Sequence, residues 1–189
     1  MSRNFFALTA LTLTLLLGSP PLPAAPPETA TLAAGCFWGT EEFFRKVPGV
    51  LETRVGYSGG TQPASYEQVS TGTTGHAESV EIKFDPAKVS FRDLLVLFFK
   101  MHDPTTPNQQ GNDQGPQYRS AIFTHGETQL KTAQALKASI ERSGVWKKPL
   151  STEITPAKAF YPAEDFHQKY LVKHPGGYDN HYLRNLKIN

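Results

Sequence analysis

Cysteine is almost absent: the 189 residues contain one, Cys36. A single thiol excludes an intramolecular disulfide, a cysteine-based zinc site and an iron–sulfur cluster. A surplus of either charge is also missing. Nineteen Lys and Arg against 17 Asp and Glu leave +2, which gives no electrostatic case for nucleic acid or an anionic membrane surface. The apolar run over residues 5–17 has 13 residues, short of the ~20 that a spanning helix needs. After Thr29 there is no internal repeat, low-complexity tract or block of like charge. At 39% hydrophobic and 19% charged, the composition suits one soluble domain with a sizeable core.

The short apolar run follows Ser2-Arg3 and precedes Gly18-Ser19-Pro20-Pro21-Leu22-Pro23-Ala24-Ala25. A basic start, an apolar stretch and small residues near Ala24 describe a secretory signal peptide over residues 1–24, which implies a periplasmic or secreted protein. The competing reading, a buried N-terminal helix, is opposed by Pro20, Pro21, Pro23, Pro26 and Pro27, which break helices. Residues 25–28 then form a Pro-rich spacer and residues 29–189 the domain.

Within the domain, residues 29–34 are short and apolar, as in a buried strand. Residues 40–47 suit a helix with Glu41 and Glu42 at its start and Arg45 and Lys46 at its end, an order that complements the helix dipole. Residues 50–57 and 79–84 suit strands; in the latter Val80, Ile82 and Phe84 share one face. Ser90 with Asp93 forms a capping box for a helix to about Met101, and Thr124 with Glu127 suggests another for a helix ending near Ser143-Gly144. Residues 111–117 read as a polar loop, 120–124 and 151–156 as strands, and 163–172 as a short final helix. Strands alternating with helices in this order give an α+β fold, with helices on one face of a mixed or antiparallel sheet.

Cys36 lies in Gly35-Cys36-Phe37-Trp38-Gly39, between an apolar strand and a helix. Amides at a helix start stabilise a thiolate, so this position should lower the thiol pKa. A buried structural cysteine beside two core aromatics is the opposing reading. Glu78 shares strand parity with Val80, Ile82 and Phe84, which turns its carboxyl inward and should raise its pKa. If Gly75-His76-Ala77-Glu78 is instead a turn, Glu78 is solvated. Tyr66, Asp113 and Tyr118 fall in loop-like stretches with Gly and Pro neighbours.

These segments resemble the A-type peptide methionine sulfoxide reductases. The likeness runs through Gly35-Cys36-Phe37-Trp38-Gly39, Gly56-Tyr57-Ser58-Gly59-Gly60, Gly72-Thr73-Thr74-Gly75-His76-Ala77-Glu78, His102-Asp103-Pro104, Gln110-Gly111-Asn112-Asp113-Gln114-Gly115, Gln117-Tyr118-Arg119-Ser120 and Ala163-Glu164-Asp165-Phe166-His167-Gln168-Lys169-Tyr170. It implies a two-layer α/β plait of ferredoxin-like type and reduction of the S epimer of methionine sulfoxide, free or in proteins. By resemblance Cys36 is the nucleophile and Glu78 the general acid. Tyr66 and Tyr118 hold the sulfoxide oxygen, Asp113 supports that site, and Phe37 and Trp38 form the aromatic wall for the methyl group. It implies no prosthetic cofactor or metal, an external thioredoxin-like or glutaredoxin-like thiol donor, and a monomer without stable membrane insertion. Many relatives resolve the oxidised cysteine with a second one; this sequence contains none, so a one-cysteine cycle is expected.

Two other readings stand beside it. One is a secreted thiol hydrolase or acyltransferase using His76, His102 or His167 as base. The other is a binding module in which Cys36, Phe37 and Trp38 are core. A metal held by His167, His174 and His181 is disfavoured, because Pro175-Gly176-Gly177 breaks the helix that would align them.

Overall fold

The computed structural model describes residues 25–188; the expected signal peptide, residues 1–24, lies outside them. Among the described residues eight strands and five helices follow one another. They are β1 (Glu28–Ala34), α1 (Phe37–Phe44), β2 (Val50–Ser58), α2 (Tyr66–Ser70), β3 (Ala77–Phe84), α3 (Phe91–Met101), β4 (Gln109–Gln110), β5 (Asp113–Gln114), β6 (Ser120–Thr124), α4 (Glu127–Ser143), β7 (Glu153–Pro156), β8 (Tyr161–Pro162) and α5 (Tyr170–Lys173). Six strands form one sheet in the order β7-β6-β1-β3-β2-β8. Every pairing in it is antiparallel except β6 with β7, which is parallel. The sheet is therefore mixed and mostly antiparallel.

Strand parity decides where the core lies. Ala30, Leu32 and Ala34 of β1, Val80, Ile82 and Phe84 of β3 and Ile122 of β6 join one buried cluster. The same cluster takes Phe37 and Phe44 from α1, Leu94, Leu95 and Phe98 from α3, and Ala133, Leu136 and Ile140 from α4. All three long helices thus cover one face of the sheet. The alternate positions Ala33, Ala77, Ala121 and Phe123 make a small second cluster on the other face, as the two-residue period of a strand requires. Full burial of each large apolar side chain contributes ~1.5–3 kcal/mol. Among the described residues no helix is long and apolar enough to cross a membrane.

Several local expectations need correction. Helix α1 begins at Phe37, not near residue 40, so Glu41 falls in mid-helix and is 1% exposed. Its carboxylate accepts from Thr53 Oγ1 at 3.0 Å, Lys169 Nζ at 2.7 Å and Lys169 N at 2.7 Å. This ion pair, buried on its Glu41 side, ties α1 to β2 and to the segment after β8, which is a use of charge that the dipole argument does not foresee. The expected box of Thr124 and Glu127 is absent. Thr124 Oγ1 donates to Thr155 O, and α4 starts after Gly126 with no side-chain cap. The expected helix over residues 163–172 shrinks to α5, because Ala163, Glu164, His167, Gln168 and Lys169 are turned to partners on other elements and Lys169 takes a left-handed backbone at φ +53°. By contrast, the Ser90–Asp93 box of α3 is present in both halves.

Candidate active site

Cys36 is the N-cap of α1, following a glycine at φ +96°. That backbone angle favours glycine, and a Cβ at Gly35 would come within 2.5 Å of the Gln110 side chain. The tight turn delivers Cys36 from the end of β1 directly into the first turn of α1. Its side chain is 8% exposed. Burial and the neighbouring Glu78 charge push the thiol pKa well above its usual range, against the downward pull of the Trp38 and Gly39 amides. The expected thiolate-stabilising effect of the helix start is present but outweighed: desolvation is the larger force in this closed corner.

Glu78 lies on β3 opposite Tyr57 of β2 and is 3% exposed. Its Oε2 accepts the Phe37 amide at 3.0 Å, which sets the carboxyl against the Cys36 turn. Burial raises its pKa to about 8, with the Asp113 charge adding to the rise and the Phe37 hydrogen bond opposing it. At neutral pH the resting pair is a neutral thiol beside a neutral carboxylic acid.

Tyr66 is not in a loop; it opens α2, behind a complete capping box of Ser65 and Gln68. Tyr118 closes a 3₁₀ turn over Pro116–Tyr118, within what reads in sequence as a polar loop. Both phenols are raised by burial first, and then by the charges of Glu78, Cys36 and Asp113. They therefore share one electrostatic environment with the thiol and the acid, and remain protonated donors. Asp113 sits on β5, paired with Gln110. Phe37 is 1% exposed, with its ring centroid 5.9 Å from that of Tyr57. Trp38 stacks on Tyr170 at 3.7 Å and 9°.

The sequence reading overlooks the residues that hold these groups. Tyr178 Oη donates to Asp113 Oδ1 at 3.0 Å, and Asn180 Nδ2 to Asp113 Oδ2 at 2.9 Å. His181 Nε2 lies 2.7 Å from Ala34 O, and its Nδ1 lies 2.9 Å from Asp179 Oδ1. A Cβ on Gly39 would stand 2.1 Å from Asp179 Oδ1, so the glycine is required for the tail to reach the turn. Glu164 accepts from Tyr57 Oη at 3.0 Å and from Tyr66 N at 2.9 Å. Trp38 Nε1 donates to His167 Nδ1 at 3.0 Å. The one advance signal was chemical: Gly176-Gly177-Tyr178-Asp179-Asn180-His181 places polar and aromatic groups after a flexible pair of glycines.

Two of the three histidines considered as bases spend ring nitrogens on structural partners, and the third, His76, is buried with both nitrogens unpartnered. His102 Nδ1 faces Phe98 O at 2.7 Å and its Nε2 faces Ser120 Oγ at 2.8 Å. His76 packs its nitrogens beneath Gly60, and His167 Nδ1 is committed to Trp38.

A buried thiol at a helix start, a carboxyl raised towards its protonated form against the same turn and two raised phenols are the groups a thiol-based enzyme with its own proton and hydrogen-bond donors needs. The family described as peptide methionine sulfoxide reductase matches residues 28–188. A peptide methionine sulfoxide reductase of Methanosarcina acetivorans is 55% identical over 161 residues, 85% of each chain. One from Mesorhizobium japonicum is 49% identical over 85% of this chain and 92% of its own. Among solved structures, reduced Mxr1 of Saccharomyces cerevisiae superposes with a TM-score of 0.79 at 39% identity, covering 88% of this chain and 97% of that one. The chain belongs to the peptide methionine sulfoxide reductase family.

Proposed function

We propose that Cys36 attacks the sulfur of an S-configured methionine sulfoxide while Glu78 protonates its oxygen. The chain is a peptide-methionine (S)-S-oxide reductase, an enzyme of protein repair. The observation that carries the assignment of roles is the buried Glu78 carboxyl, hydrogen-bonded at 3.0 Å to the amide that follows Cys36.

The chemistry balances on these residues. The thiol sulfur bonds to the sulfoxide sulfur as Glu78 gives its proton to the oxygen and takes up the thiol proton. The hydroxyl then passes to Cys36 and the S–S bond breaks, leaving methionine and Cys36 sulfenic acid, with Glu78 again protonated. Tyr66 and Tyr118 donate to the oxygen as negative charge gathers there. Phe37 and Trp38 receive the methyl group, and Asp113, held by Tyr178 and Asn180, borders the oxygen site. An apolar methyl pocket discriminates by only ~1–3 kcal/mol, so the directed donors carry most of the epimer choice.

With one cysteine in the chain, an external thiol attacks the sulfenic sulfur, releasing water and forming a mixed disulfide. A second thiol equivalent frees Cys36. A thioredoxin-like or glutaredoxin-like donor fits this step; yeast Mxr1 has been solved in complex with Trx2. No prosthetic cofactor enters the cycle. Supporting an exported enzyme are the basic start, apolar run and small residues over 1–24; the working form is then a periplasmic or secreted monomer. The core β1-α1-β2-β3-α3-β6 with sheet order β6-β1-β3-β2 supports reading the domain, residues 29–189, as a ferredoxin-like plait.

Two measurements test the mechanism. Incubation with the S sulfoxide alone should leave one oxygen on Cys36 by mass spectrometry, at one methionine released per chain. The Cys36→Ser variant should fold and show no thiol-dependent reduction of methyl p-tolyl sulfoxide. Verified turnover without any oxidised Cys36 overturns the sulfenic route.

A further inference from the structure

Helix α3 ends at Met101, and a helix leaves its last four carbonyls without partners of its own. All four are taken here by groups from beyond the helix. Phe98 O accepts from His102 Nδ1 at 2.7 Å and Phe99 O from Trp146 Nε1 at 3.3 Å. Lys100 O accepts the Arg184 amide at 3.0 Å, and Met101 O the Tyr182 amide at 3.2 Å. Two of the four donors are therefore backbone groups of residues 182–184, which lie across the helix end.

Arg184 adds its side chain to this contact. Its guanidinium carbon lies 4.1 Å from the ring centroid of Tyr182 and 5.4 Å from that of Trp146, and its Nη1 stands 3.4 Å from Lys100 O. A cation at this place meets the negative end of the α3 dipole and two aromatic rings, and both attractions vanish with the charge. Just upstream, Tyr178 Oη and Asn180 Nδ2 hold the two carboxylate oxygens of Asp113. One end of this short stretch thus rests on α3 and the other on the acid that borders the site.

We propose that Arg184 is a positioning residue, which pins residues 182–184 to the C-terminal end of α3 and so keeps Tyr178 and Asn180 on Asp113. The effect on turnover rests on Asp113 bordering the sulfoxide oxygen; the pinning of the tail does not. Without the guanidinium, the amides of Tyr182 and Arg184 lose their fixed approach to Met101 O and Lys100 O, and Asp113 loses the support that reaches it from α3.

The experiment compares Arg184→Ala with Arg184→Lys, which keeps the charge and its attraction to the rings. Hydrogen exchange read by mass spectrometry reports the tail directly. Arg184→Ala should speed exchange over residues 178–188 about tenfold, and Arg184→Lys should stay within about threefold of wild type. The kcat/KM for methyl p-tolyl sulfoxide should fall about tenfold in Arg184→Ala and recover most of that in Arg184→Lys. In an Asp113→Ala background, Arg184→Ala should change kcat/KM by less than about twofold, because the link it breaks is already gone. Tyr182→Ala, which removes one ring from the guanidinium, is a milder second variant expected to move both readouts in the same direction, and it replaces Arg184→Ala if that chain does not fold. Unchanged exchange over residues 178–188 overturns the proposal, as does an Arg184→Lys enzyme that behaves like Arg184→Ala. A full tenfold loss that persists in the Asp113→Ala background overturns the action through Asp113. If Asp113→Ala alone leaves kcat/KM unaltered, the oxygen-site reading fails, and exchange alone decides whether Arg184 pins the tail.

Discussion

Replacing Glu78 by glutamine separates what the acid does for catalysis from what it costs the fold. A carboxyl whose pKa stands at about 8 is about nine-tenths protonated at pH 7 and about one-tenth at pH 9. Single-turnover reduction of the sulfoxide should therefore be level near pH 7 and fall about tenfold by pH 9. Glutamine can still accept from the Phe37 amide and donate to the oxygen, but it cannot transfer a proton; the rate should drop ~10²–10⁴-fold and the alkaline fall should vanish. Stability should move the other way. The folded-state pKa is raised, so the penalty is absent below about pH 4.5 and grows as the unfolded chain ionises and the folded one does not. At about 1.36 kcal/mol per pH unit, the gap between 4.5 and 7 amounts to about 3 kcal/mol. Glu78→Gln should be more stable than wild type at pH 7–8 and no more stable at pH 4. The assays are stopped-flow tryptophan fluorescence for turnover and thermal unfolding across that pH range. A wild-type rate that rises between pH 7 and 9 would show that ionisation of the thiol, not protonation of Glu78, governs the step. A glutamine variant within a fewfold of wild type would remove the acid role altogether.

Tyr66→Phe and Tyr118→Phe should each lower kcat for the sulfoxide by ~10²-fold with little change in folding, because each removes one donor at the developing charge; near-wild-type rates for both variants count against the assignment. Glu41→Ala takes the shared acceptor from Lys169 Nζ, Lys169 N and Thr53 Oγ1, and because Lys169 is 39% exposed the loss should fall near the lower end for such pairs, about 3 kcal/mol, read as a melting point lower by ~6–12 °C. His102, with its pKa pulled down by burial to about 3, favours folding above pH 6.5 and loses that contribution as acid protonates the unfolded chain. By pH 5 the loss is about 2 kcal/mol, and His102→Gln should unfold with a correspondingly flatter pH dependence between 7 and 5. Asn180→Ala should weaken sulfoxide turnover without altering α1, since its amide holds Asp113 from the side; unaltered kcat/KM would make that contact ornamental.

The strands were readable because each lies on a half-buried sheet whose two-residue period survives in the sequence. Val80, Ile82 and Phe84 are all 0% exposed, and Glu78, two positions earlier, follows them inward. The Ser90 cap was readable because it is local. What sequence could not show are groups whose partners lie far away. Glu41 reads as an ordinary first-turn acid until Lys169, 128 residues on, arrives beside it. Residues 163–169 look helical by composition, yet Glu164, His167 and Gln168 are spent on Tyr57, Trp38 and the Val55 backbone. The sequence suggests the opposite direction for the Cys36 shift because helix amides are visible in a sequence and the depth of burial is not.

The hydrogen bond between His181 and Ala34 joins residues 147 positions apart, and this has a consequence for the birth of the enzyme. A chain made from its N-terminus completes β1, the Gly35 turn and β3 long before residues 178–181 exist. Until then the space beside Gly39 is vacant and Asp113 lacks its two holders. A contact of such separation in sequence is among the slowest kind to form. Residues 178–181 thus finish a setting that residues 34–39 begin.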